Sequence, residues 1–136
     1  MVFKRRISAP YTDIKSYMAG EDNGIENSQI LKEIDYFRRF YGCLKPAADI
    51  FYDREAFYDR TDSSVRLTFD SNVLARGWDL ELENGIYGER VLENGLYILE
   101  VKTPGAMPMW IAEMLNEFKI YPIPFSKYGT AYKTDC

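Results

Sequence analysis

In an extended strand alternate residues share a face, and several short runs of this chain place cations at that spacing. Arg66, Thr68 and Asp70 fall together in Val65–Asp70, with Val65, Leu67 and Phe69 on the other side. Ile98, Glu100 and Lys102 oppose Leu99 and Val101. Tyr52 and Arg54 share a face of the run from Ile50, Lys4 and Arg6 share one near the start, and Lys127 opens the run Lys127–Tyr132. Two arrangements fit such a pattern. It can be the solvated face of a one-sided antiparallel sheet, or the inside of a curved sheet or barrel that collects cations to hold a polyanion. Phosphate oxygens are acceptors only; arginine matches them with a planar fork and lysine offers a compact charge. A lone carboxylate among such cations then suits a divalent metal bridging protein and phosphate oxygens.

Other chemistries are poorly supplied. The chain has no histidine, so the commonest general base and the commonest transition-metal ligand are absent. Its two cysteines, Cys43 and Cys136, are too few and too ill-spaced for a disulfide framework, which points to a reducing, cytoplasmic setting. Lys and Arg total 17 against 21 acids, a net charge of −4, so the surface as a whole is not a magnet for nucleic acid, and no nucleic-acid motif accompanies it. No apolar run is long enough for a membrane segment or a signal core.

The elements that must position these residues are mixed. With 46% hydrophobic and 15% aromatic residues, 136 residues have enough apolar surface for one core, and the expectation is a single domain over 1–136. Helices are expected over Tyr11–Ala19, stopped by Gly20, and from the cap Ser28 to Gly42, with Ile30, Leu31, Ile34, Phe37 and Tyr41 as the apolar stripe and Asp35, Arg38 and Arg39 facing water. A third is expected to open at Pro108 and bury Trp110, Ile111, Met114, Leu115 and Phe118. Strand-like runs cover Val2–Ile7, Ile50–Tyr58, Val65–Asp70, Trp78–Glu83, Leu96–Lys102 and Lys127–Tyr132. Asn84-Gly85 and Asn94-Gly95 read as turns between consecutive antiparallel strands. Glu81 and Glu83 read as a solvated strand face rather than a second metal pair.

The order of these fragments resembles a known family. A basic strand and helices precede Tyr-x-Arg-x-x-Phe (Tyr52 to Phe57), Val-Arg-Leu-Thr-Phe-Asp (Val65 to Asp70) and Leu-Glu-Val-Lys (Leu99 to Lys102). A Pro-x-Trp helix and Phe-Ser-Lys-Tyr (Phe125 to Tyr128) follow. Together they resemble the VTC polyphosphate polymerase domain, one of the CYTH-like triphosphate tunnel enzymes. The resemblance implies an α+β fold whose mostly antiparallel sheet forms part of a triphosphate-tunnel-like barrel with about three flanking helices. It implies an ATP-polyphosphate phosphotransferase that moves the terminal phosphate of ATP onto a polyphosphate chain with Mn²⁺ or Mg²⁺. By the same resemblance Lys4, Arg6, Arg54, Arg66, Lys102 and Lys127 bind phosphate, Arg54, Arg66 and Lys127 are the catalytic set, and Glu100 binds the metal. Because Ile98 stands where a Glu-x-Glu-x-Lys motif would place its first acid, the polymerase branch is favoured over triphosphate hydrolases.

Only the C-terminal portion of the family domain is expected here, with five to seven strands against the roughly eight of a small closed barrel. The resemblance therefore leaves room for a second copy or a separate subunit to complete the barrel. A noncatalytic polyphosphate- or triphosphate-binding module and a triphosphate hydrolase stand as alternatives.

Overall fold

The structure, a computed structural model, describes residues 4–42 and 44–134; Cys43, Cys136 and the start of the expected Val2–Ile7 strand lie outside them. The chain divides into two compact units, Met1–Lys45 and Pro46–Cys136.

In the first unit residues 4–10 form no strand, which corrects the expectation for the rest of the basic run. Helix α1 (Tyr11–Ala19) starts after Pro10 and ends where Gly20 turns left-handed at φ 81°, letting the following amides reach back to Tyr17 and Ser16 carbonyls. Helix α2 (Gln29–Tyr41) is capped as expected by Ser28, whose hydroxyl accepts from the Leu31 amide at 3.2 Å. Leu31 is buried and Ile30 and Ile34 are half-buried, while Phe37 and Tyr41 remain exposed. Asp35 and Arg38 do not simply face water. The Tyr17 hydroxyl donates to Asp35 at 2.6 Å, and Arg38 lies 4.6 Å over the Tyr17 ring while donating to the Met18 carbonyl at 3.1 Å. These contacts tie α1 to α2.

The second unit is built on one antiparallel sheet. Strands β1 (Asp49–Tyr58), β2 (Arg66–Arg76), β3 (Glu89–Arg90) and β4 (Ile98–Lys102) form it, and β2 is central. β1 lies along one edge of β2, and β4 and β3 share the other, β4 beside Arg66–Asp70 and β3 beside Leu74–Ala75. The sheet is not closed into a barrel. Val65, Leu67, Leu99 and Val101 turn one face toward Ile111, Met114 and Leu115 of helix α3 (Met109–Glu117), the packed core of this unit. Pro108 serves as the N-cap of α3 rather than its first helical residue, and Trp110 and Phe118 are exposed rather than buried.

Two expected strands are not strands. Trp78–Glu83 is a loop running into a 3₁₀ turn at Leu82–Asn84, wrapped around the guanidinium of Arg76. That side chain is fully buried and donates to the Asp49 carboxylate at 2.8 Å and to the carbonyls of Gly85 at 2.8 Å and Glu81 at 3.0 Å. It lies 5.0 Å from the ring centre of Phe51 and 4.2 Å from that of Tyr87. The return of this loop presses Gly88 against β2 so closely that a Cβ there would lie 2.4 Å from the Ala75 carbonyl oxygen. Lys127–Thr134 is helix α4, not a strand, because Ser126 closes its first turn by accepting from the Gly129 amide at 3.2 Å. Among the described residues four α-helices thus replace the three expected, and β3 and β4 pair with β2 instead of forming a hairpin with each other.

Candidate functional site

The sheet face opposite the α3 core is the charged one. Pairing across β2 sets its pattern: Arg54 stands beside Asp70, Glu100 beside Thr68 and Lys102 beside Arg66. Helix α4 adds Lys127 over the β1 side. Asp70, whose side chain has no exposed surface, holds this group together. It accepts from Arg54 Nε at 2.6 Å and Nη2 at 2.7 Å, a bidentate fork, and from Lys127 Nζ at 2.5 Å. Arg54 Nη2 is also 3.7 Å from Glu100, and Lys102 Nζ is 3.1 Å from the other Glu100 oxygen. Both Arg54 and Lys127 sit over the Tyr52 ring, at 5.1 Å and 4.7 Å from its centre.

The electrostatics follow from these contacts. The Arg54 hydrogen bonds hold the Asp70 carboxyl below the usual carboxylate range against the opposing effect of burial, and Lys127 adds to the same lowering. The Arg54 guanidinium is pushed further up by its bonds to Asp70. Arg66 makes no ion pair among the described residues. The cluster therefore carries four cations, Arg54, Arg66, Lys102 and Lys127, against two acids. One acid, Asp70, is sealed from solvent; the other, Glu100, is 40% exposed. Between Arg66 and Asp70 the buried hydroxyl of Thr68 has no hydrogen-bond partner among the described residues. The face is thus cation-rich, with one reachable carboxylate.

The family model of the VTC domain matches residues 1–134. The chain belongs to the VTC domain family. No curated protein matches it, and no solved structure does.

In this VTC domain the structure brings together Arg54, Arg66, Lys102, Lys127 and Glu100, five of the seven residues singled out in the sequence. Lys4 and Arg6 belong to the first unit, exposed on a segment without the strand expected to carry them. Two members had no assigned role in the sequence. Asp70 is in phase with Arg66 yet its partners become visible only when β1 and α4 are placed, and Tyr52 is the shared ring under two cations. The signal for both was present as a carboxylate and an aromatic in phase with the basic residues. Arg76, by contrast, gave none: nothing in Leu74-Ala75-Arg76-Gly77 distinguishes a buried structural arginine from a surface one. The described residues contain no group of three or more His, Cys, Asp or Glu that could enclose a metal ion. Glu100 as a lone carboxylate fits a metal that arrives with phosphate oxygens and keeps its waters, as Mg²⁺ does, and not a fully protein-coordinated one. No helix of the described residues is long and apolar enough to cross a membrane.

Proposed function

We propose that the charged face of this VTC domain is a polyphosphate site, and that the domain transfers the terminal phosphate of ATP to a polyphosphate chain. One observation carries the reading: Arg54, Arg66, Lys102 and Lys127 share one sheet face with a single exposed acid, in a chain of the VTC family. Phosphoryl transfer needs positioning and charge neutralisation more than a protein nucleophile, so a site without histidine can perform it. Arg54 and Arg66 would grip oxygens of adjacent phosphates, Lys102 and Lys127 would neutralise the chain on either side, and Glu100 would hold Mg²⁺ or Mn²⁺ once it exchanges Lys102 for the metal. When bound, that metal supplies Lewis-acid neutralisation of the transferred phosphoryl group.

The open sheet is, on this reading, part of a tunnel wall, completed by a second copy or another subunit. Polymer formation from ATP with Mn²⁺, followed by gel electrophoresis of the phosphate chains, tests the activity. Polymer that disappears in Arg66→Ala and Glu100→Ala supports it. Polymer formation undiminished by both removes these residues from the site. The unclosed sheet also favours a second reading, a noncatalytic polyphosphate-binding module; tripolyphosphate binding without turnover of ATP would select it. Orthophosphate release without polymer would instead identify a triphosphate hydrolase.

A further inference from the structure

We infer that Asp70 is the positioning residue of the charged face, resting on the reading of that face as a phosphate site. Its carboxylate is fully buried, so it cannot itself touch a ligand. Yet both of its oxygens are spent on cations that can. A guanidinium carries five N–H donors and an ammonium three. Asp70 takes one from Arg54 Nε, one from Nη2 and one from Lys127. The Nη1 edge of Arg54 and two donors of Lys127 remain, and the fork fixes the plane in which the guanidinium lies.

Arg54 comes from β1 and Lys127 from α4, and the two like charges would repel each other without the anion between them. Asp70 therefore joins two elements and sets the relative orientation of two phosphate donors before any ligand arrives. Glu100, which also approaches Arg54, is exposed and meets it only at 3.7 Å through one nitrogen, so it cannot fix that plane. Preorganised donors bind more tightly because the cost of ordering them has already been met in folding.

This role makes a prediction opposite in sign to plain electrostatics. Asp70→Asn makes the face more positive by one charge, so a role confined to charge would tighten anion binding. A positioning role weakens it, by about tenfold for two loosened side chains. The experiment titrates inorganic tripolyphosphate into the full chain by calorimetry, comparing wild type with Asp70→Asn after confirming that the variant melts cooperatively. Weaker binding despite the added positive charge supports the inference. Equal or tighter binding overturns it while leaving the phosphate site intact, whereas absence of binding by wild type overturns the site reading and this inference with it. Should Asp70→Asn not fold, the arginine side-chain Nε–H resonances of the wild type decide. A slowly exchanging Arg54 signal in free protein, unchanged in exchange by tripolyphosphate, is expected, and a freely rotating, fast-exchanging Arg54 that orders only on addition of the anion overturns the inference.

Discussion

Replacing Arg54 by methionine is the most informative single perturbation of this fold, because it leaves a buried carboxylate with one of its two cationic partners. Asp70 is wholly enclosed and loses two of its three hydrogen bonds, keeping only Lys127. Breaking a buried ion pair from one side costs about 3–5 kcal/mol. Arg54 is itself 31% exposed and Lys127 stays, so the lower end, about 3 kcal/mol, applies. At about 4 °C per kcal/mol for a chain of this length, the melting temperature at pH 7 should fall by about 12 °C.

The pH dependence gives this number a sharper test. Asp70 is held below the usual carboxylate range first by Arg54, against burial, with Lys127 assisting. A carboxyl with a depressed folded-state pKa contributes stability that is complete above its unfolded value of about 3.9 and is lost as pH falls through the folded value. In Arg54→Met the largest lowering influence is gone and burial remains, so the folded-state pKa rises toward or above the unfolded one. The gap between wild type and variant is then full at neutral pH and narrows as pH drops through about 4 and below. Calorimetric melts from pH 7 down to about pH 2 measure it. An unchanged melting temperature, or a gap of constant size across that range, would show that the Arg54–Asp70 pair does not carry the load assigned to it.

Other parts of the structure predict distinct outcomes. Arg76→Met takes away the donor that the buried Asp49 carboxylate and the Gly85 carbonyl receive, so its urea midpoint should fall by the equivalent of about 3–5 kcal/mol with an unchanged slope. Thr68→Val removes a buried hydroxyl that has no partner and keeps the branched shape; calorimetry of the free protein should show stability unchanged or raised by about 1 kcal/mol, and a loss of more than that would reveal a hidden partner. Ile111→Ala opens a cavity under the sheet and should cost about 2–5 kcal/mol, visible as early loss of hydrogen-exchange protection in α3.

How much of this was legible in the sequence depends on which interaction decides each element. The first half of β2 and β4 were readable because Leu67, Leu99 and Val101 alternate against one core face, and that alternation sets which side the charges take, whereas β1 is exposed from Tyr52 onward and contributes nothing to that core. The same rule failed at Trp78–Glu83, where Trp78, Leu80 and Leu82 alternate with Asp79, Glu81 and Glu83 without forming a strand. There Asp79 takes a positive φ of 49° and its carboxylate accepts from Asn84 and from Tyr87, while Arg76 draws the Glu81 and Gly85 carbonyls inward. A buried guanidinium just before the run, anchored by Asp49 27 residues earlier in the chain, overrode the local pattern.

Helix α4 failed for a different reason. Tyr128, Thr130 and Tyr132 favour strands by propensity, but Ser126 caps a helix that buries Ala131 and stacks Tyr128 on Tyr132 four residues away. The misreading did not cost the site its lysine, since Lys127 is the first residue of that helix and reaches Asp70 from above the sheet instead of from within it. Cations were therefore recognisable by type and order along the chain, whereas their fixing was not. It depends on a carboxylate whose two partners lie sixteen residues before it and more than fifty after it, and only the packing of β1 and α4 onto β2 brings them to one atom group.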